Sequence, residues 1–223
     1  MSDIINIEYL YDSQISQDDQ FISFKIIIIG DSGVGKSCLL KRAVQNTFDP
    51  NYHATLGFEF LLMHFHVNDI KVKLQIWDTC GEEKYKSLIK GFYKNTSLAL
   101  VVYDINDQNS FDSLNNWIKD IIEHTSEDLP IFMVGNKCDL EKIVSSEDAK
   151  SVADSNRIEY FSECSAKTGY NVKETFFEIV KHLYKKYVEL KSKNTLPSTS
   201  KKLKINENNE EIKFSKKRKC CKS

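Results

Sequence analysis

One eight-residue stretch, Gly30-Asp31-Ser32-Gly33-Val34-Gly35-Lys36-Ser37, constrains this chain more than any other. It fits the spacing Gly-x4-Gly-Lys-Ser/Thr, and its setting is the one that spacing needs: an Ile-rich run at 24–29 precedes it and an amphipathic stretch at 36–45 follows. The glycines let the backbone wrap a phosphate chain so that successive N–H groups point inward, and the helix that follows adds its partial positive N-terminus. Lys36 is placed to reach the β- and γ-phosphates, and the Ser37 hydroxyl to ligate Mg²⁺. Cys38, next along, is counted with this candidate phosphate site.

The motif alone fixes neither base nor reaction, since ATPases, nucleotide kinases and GTPases share it. The rest of the chain narrows the fold. Strands are expected at 24–29, 58–67, 70–77, 98–104, 131–135 and 158–162, with Asn68-Asp69 turning a hairpin between the second and third. Helical periodicity marks 36–45, a stretch after Ser110 that Ser110 can cap, a short helix capped by Ser145 or Ser146, and a final helix from Val172. Strands alternating with helices specify an α/β domain with a mostly parallel six-stranded sheet, one strand antiparallel, and helices on both faces. The composition, 41% hydrophobic and 28% charged, supports such a core. No apolar run nears the roughly 18 residues that cross a bilayer, and the acidic start lacks a secretory pattern. Six cysteines without Cys-x-x-Cys spacing suggest neither disulfides nor zinc, so a reducing compartment is expected.

Asn136-Lys137-Cys138-Asp139, just after the strand ending at Gly135, selects the base. A carboxylate at Asp139 can accept from both N–H donors on one edge of guanine, whereas adenine presents an unprotonated nitrogen there and is repelled. A buried hydrogen bond built for one ligand discriminates strongly against a ligand that lacks it. Asn136 would tie the surrounding loops together, and the Lys137 stem can cover the face of the base.

With these two motifs in place, the sequence resembles a Ras-superfamily small GTPase, and within it the Rab family, over about residues 24–190. Asp78-Thr79-Cys80-Gly81 matches Asp-x-x-Gly, Ser165-Ala166-Lys167 resembles the second guanine-contacting loop, and Thr55 matches the switch I threonine. Stretches 56–60, 73–77, 102–105 and 116–118 are typical of Rab proteins. The resemblance implies the P-loop GTPase fold and GTP or GDP with Mg²⁺. It further implies that Thr55 and Asp78 complete the metal shell, that Gly81 donates its N–H to the γ-phosphate, and that Phe48 lies against the guanine. Phe60, Trp77 and Phe92 match the aromatic triad shown to effectors. The partners it implies are an exchange factor, a GTPase activator, an escort protein and a dissociation inhibitor, with no nucleic acid among them.

One departure stands out. Where the family has glutamine, this chain has Glu82. An amide can accept from water and donate to the phosphoryl group, but an ionised carboxylate only accepts. Placed ~5 Å from the γ-phosphate it repels by about 1–3 kcal/mol at an effective dielectric of 20–80. Slow intrinsic hydrolysis follows; the alternatives are that Glu82 acts as a general base or pairs with Lys84 or Lys86.

Charge is uneven outside the domain. Residues 1–20 carry five acidic side chains and no Lys or Arg, and read as a solvated extension, with 1–22 set apart from a GTPase domain at 23–190. Residues 191–223 carry eleven basic residues against three glutamates, and read as a disordered tail. The tail ends Cys220-Cys221-Lys222-Ser223, which resembles the Rab Cys-Cys-x-x ending and implies two geranylgeranyl groups beside a cluster attracted to anionic lipid. The whole is expected at the cytoplasmic face of an intracellular or plasma membrane, with a cytosolic pool. The alternative is a binding module that holds GTP almost permanently.

Overall fold

The computed structural model describes residues 5–50, 57–81, 90–126 and 128–194. Seven strands make one sheet: β1 (Ile7–Leu10), β2 (Ile22–Ile29), β3 (Phe58–Val67), β4 (Ile70–Thr79), β5 (Leu98–Asp104), β6 (Ile131–Asn136) and β7 (Tyr160–Glu163). Among the described residues five α-helices accompany them: α1 (Lys36–Gln45), α2 (Gln108–Asp112), α3 (Leu114–His124), α4 (Ser146–Ser155) and α5 (Val172–Asn194). The strand order is β1-β3-β4-β2-β5-β6-β7, and β3 runs against both of its neighbours while the others are parallel.

The central strands are buried because both faces of the sheet are covered. β5 is enclosed at all of its positions, as a strand between two helical layers must be. On one face, Phe24, Ile26, Leu39, Phe65, Phe176 and Leu183 pack under α1 and α5. On the other, Ile27, Val101, Trp117, Ile121, Met133 and Ala149 pack under α3 and α4. β3 is different. Its inward positions Met63, Phe65 and Val67 are buried, while Phe58, Phe60 and Leu62 remain 48%, 42% and 38% exposed.

The sheet has seven strands rather than six because the acidic head supplies one. Ile7–Leu10 pairs antiparallel with β3, from Ile7 opposite Val67 to Leu10 opposite His64. Ile5, Ile7 and Tyr9 pack against the core under α1 and α5, and Leu10 is buried. The tip of the β3–β4 turn holds this edge: Asn68, at φ 52, accepts on Oδ1 from the N–H of Asn6 and donates to the Tyr184 hydroxyl of α5. Beyond β1 the chain recrosses the outer face of β3 and β4 to reach β2. On the way Asp19 pairs with Lys71 at 2.6 Å, and the Phe21 ring meets His64 with centroids 5.0 Å apart. Residues 11–21 thus form a strap over that face.

Ser110 does not cap the helix of Leu114–His124. Asp107 caps α2 by accepting from the N–H of Asn109, while Ser110 is buried inside α2 and accepts from the N–H of Asp104. Ser145 caps α4, accepting from the N–H of Asp148. The last helix continues to Asn194, four residues past the expected boundary at 190. Among the described residues no helix is long and apolar enough to cross a membrane.

Candidate functional site

Three loops meet at the C-terminal ends of β2, β4 and β6, where an open α/β sheet binds its ligands. The first leaves β2 at Gly30. A Cβ there would fall 2.0 Å from the Val102 carbonyl oxygen of β5, at a φ of +143 that side chains avoid, so glycine lets the loop turn against the neighbouring strand. The loop closes at Gly35, the left-handed residue that starts α1. Lys36 is buried at that start, and its ammonium donates to the carbonyls of Gly30 at 2.8 Å and Asp31 at 2.7 Å. Burial pushes its pKa down to about 8 against the opposing pull of Asp78 and Asp31. Bonded to the loop's own carbonyls, the ammonium is poised at the concave side where phosphate oxygens would accept instead.

The second loop leaves β4 at Asp78. Ser37 donates its hydroxyl proton to Asp78 Oδ2, while Asp78 Oδ1 is buried with no hydrogen-bond partner. Burial pushes this carboxyl up to about 6, and the Ser37 bond and Lys36 work against that rise. A buried carboxylate oxygen without a partner is costly, and a hard divalent cation is the group that would satisfy it. The oxygen donors Ser37 and Asp78 therefore fit Mg²⁺. Gly81 sits so close to the first loop that a Cβ would lie 2.3 Å from the backbone of Asp31 and Ser32. Thr55 and Glu82 lie outside the described residues.

The third loop is tied to the first by one side chain. Asn136 donates to the Val34 carbonyl at 2.9 Å and accepts from the Ala166 N–H at 3.1 Å, which bridges the P-loop to the loop after β7. Asp139 accepts from the Ser165 hydroxyl at 2.6 Å, and the Lys167 ammonium stands 3.6 Å from its other oxygen. Each oxygen keeps a lone pair for a ligand. Lys137, in the left-handed region at φ 66, pairs with Asp104 at 2.6 Å, so its stem runs between the end of β6 and the P-loop. Phe48 is half-buried against the core under α1 and α5.

Two residues of this site escape motif reading. Arg42 of α1 donates through Nε to the Ala166 carbonyl at 2.8 Å and through Nη2 to the Lys167 carbonyl at 2.7 Å. Trp117 of α3 donates its indole proton to Asp31 Oδ1 at 2.6 Å. Each lies in a helix where its type reads as surface charge or core aromatic, and only the fold brings it to the loops.

The aromatic residues gather as a separate group. Trp77 lies 5.1 Å from Phe60 and 5.1 Å from Phe92, centroid to centroid. Phe58, which the sequence does not single out, joins them at 5.5 Å from Trp77 and 4.8 Å from Phe92. His64 and His66 stand on the same outer face of β3, His64 against Phe21 and His66 opposite Glu8 of β1. Cys220 and Cys221 lie outside the described residues.

The sequence profile of the Ras family matches residues 25–185. Similar proteins include Ras-related protein Rab-8B of Dictyostelium discoideum, 41% identical over 74% of this chain and 82% of the relative. Ras-related protein Rab11B of Nicotiana tabacum is 41% identical over 76% of this chain and 79% of its own length. Ras-related protein Rab-2B of Dictyostelium discoideum is 44% identical over 73% and 81%.

Proposed function

The chain belongs to the Ras family, as a Rab-type small GTPase that binds GTP or GDP with Mg²⁺, and on that premise we propose that it is a slowly hydrolysing, membrane-anchored switch in vesicle traffic. The observation that carries this reading is the bridge made by Asn136, which couples the P-loop to the loop of Ser165, Ala166 and Lys167. That coupling makes the phosphate side and the base side of the site one unit, with Asp139 selecting guanine. Ser37, Thr55 and Asp78 are the residues that would hold Mg²⁺, which when bound would offset the negative charge of the phosphates. Gly30 through Cys38 line the phosphates, Lys36 neutralises them, and Phe48 and Lys137 flank the base. The N–H of Gly81 senses the γ-phosphate. The presence or loss of that phosphate is the switch read by effectors at Phe60, Trp77 and Phe92.

Glu82 sets the rate. A carboxylate beside the γ-phosphate neither donates to it nor tolerates its charge, so intrinsic hydrolysis is slow and an activator protein supplies what is missing. Single-turnover hydrolysis by the Mg²⁺-loaded protein beside Glu82→Gln tests this. The variant is expected to be at least several-fold faster, each ~1.4 kcal/mol of relieved repulsion being tenfold. Equal rates would remove the brake and leave an ordinary cycling switch. The second reading, a scaffold that holds GTP almost permanently, is favoured by the same substitution and requires that no activator accelerates the wild type.

The tail gives the address its anchor. Geranylgeranyl groups on Cys220 and Cys221, with the basic cluster at 216–219, bind the cytoplasmic face of a membrane. An escort protein delivers the chain for lipidation, and a dissociation inhibitor maintains a cytosolic pool. In cells the double variant Cys220→Ser, Cys221→Ser is expected to fractionate entirely with cytosol; retention on membranes sinks the lipid anchor.

A further inference from the structure

A pocket of about 130 Å³ opens beside the aromatic cluster, lined by Ser23, Lys25, Gln75, Trp77, Lys94 and Asn95 among others. Among the described residues its lining holds two ammonium groups and no carboxylate. The Lys25 ammonium is held beside the indole, 5.2 Å from the Trp77 ring, by a 3.0 Å bond to the Lys94 carbonyl. The Lys94 side chain is exposed. The pocket therefore offers donors and positive charge, and what complements it is an anionic acceptor.

The same sheet face already binds such a group within the chain. At residues 19–21 the strap lays a carboxylate on Lys71 at 2.6 Å, with its aromatic ring on His64 and 5.9 Å from the Lys73 ammonium. One acidic and one aromatic side chain in a short span thus satisfy the lower half of the face. The upper half repeats the chemistry with a larger apolar area: Phe58, Phe60 and Leu62 stay exposed beside Trp77, and Lys25 and Lys94 stand at its edge. Exposed apolar clusters of this kind beside charge mark protein interfaces.

We propose that the pocket beside Trp77 takes an acidic side chain of a partner protein, whose neighbouring apolar side chain packs on the cluster of Phe58, Phe60, Trp77 and Phe92. This rests on the effector reading above and deepens it. Phe58 becomes part of the contact, and the partner carries Asp or Glu within a few residues of an aliphatic or aromatic anchor. The apolar platform favours a protein segment over a phosphate group, because a phosphate would use the lysines and leave the four rings uncovered.

The test is a peptide-display selection on the full chain loaded with a non-hydrolysable GTP analogue, followed by affinity measurement of the enriched peptides. They are expected to share an acidic residue beside an apolar anchor and to bind Lys94→Glu at least tenfold more weakly, with affinity restored when the peptide acid is exchanged for lysine. Phe58→Ala is expected to weaken them by a similar factor. Lys94 and Phe58 are both exposed, so neither change is aimed at the core. Enriched peptides without an acidic residue, peptides indifferent to Lys94→Glu, or no enrichment at all would overturn the pocket. Guanine-nucleotide affinity measured on the same samples keeps the two readings apart. A chain that fails to bind GTP, or peptides that bind its GDP and GTP forms equally, defeats the switch, while charge-swap rescue still upholds the pocket.

Discussion

The loops around the P-loop and the outer face of β3 and β4 are built on opposite plans. At the loops, polar side chains are spent on backbone: Asn136 on Val34 and Ala166, Arg42 on Ala166 and Lys167, Lys36 on Gly30 and Asp31. Such bonds fix the loops before any ligand arrives, as recognition of one invariant molecule requires. On the outer face the large side chains are rings in contact with one another and partly with solvent. A rigid polar cradle suits a nucleotide. An adaptable apolar face with charged edges suits partner proteins.

Changes on the polar side should move nucleotide binding most. Lys36→Ala removes the buried ammonium at the start of α1; with charge-assisted bonds to phosphate worth about 1.5–3 kcal/mol each, GDP affinity should fall by ~10²-fold or more in a fluorescence titration. A loss under tenfold would mean that the loop N–H groups suffice without it. Arg42→Ala touches no ligand directly but frees the carbonyls of Ala166 and Lys167. GDP release is expected to quicken by ~10-fold, about 1.4 kcal/mol, with Arg42→Lys recovering only part because a single ammonium cannot serve both carbonyls in the fork geometry. An unchanged release rate in stopped flow would show that the Asn136 bridge alone holds the loop.

The smallest effect belongs to the strap. The Lys71 partner and the Ser16 N–H hold the Asp19 carboxyl below its usual value of 3.8. A depressed carboxyl contributes stability that is present above the unfolded value and is lost as pH falls through the folded one. A carbon-13 NMR titration should therefore place the Asp19 midpoint below 3.8, with Lys71→Ala moving it up toward the ordinary value. A midpoint insensitive to that change would mean that the strap is held by Phe21 alone. Nucleotide affinity should not follow either change.

Most of the sheet was legible in the sequence for a reason that also explains the misses. Buried strands and amphipathic helices announce themselves by period, so α1 at Lys36–Gln45, β3, β5 and the turn at Asn68-Asp69 lie where the pattern puts them. β1 is four residues long, Ile-Glu-Tyr-Leu, inside a segment whose acidity reads as solvated. Its strand character comes from a free edge of β3 waiting for hydrogen bonds, which no local pattern contains. Ser110 and Asp107 are both acceptable helix caps, and the choice was made by the buried N–H of Asp104 that Ser110 satisfies. Arg42 and Trp117 were invisible as site residues, because their partners are 124 and 86 residues away in sequence.

The sequence by itself determined the chemistry. Gly-x4-Gly-Lys-Ser and Asn-Lys-x-Asp require particular atoms at particular spacings, and those spacings are local. Tertiary structure decided how the loops carrying that chemistry are held to one another, which edge the acidic head completes, and which aromatic rings meet outside the core. Those outcomes depend on backbone groups left unpaired by remote elements and on the space between packed faces, and both exist only after the sheet has closed.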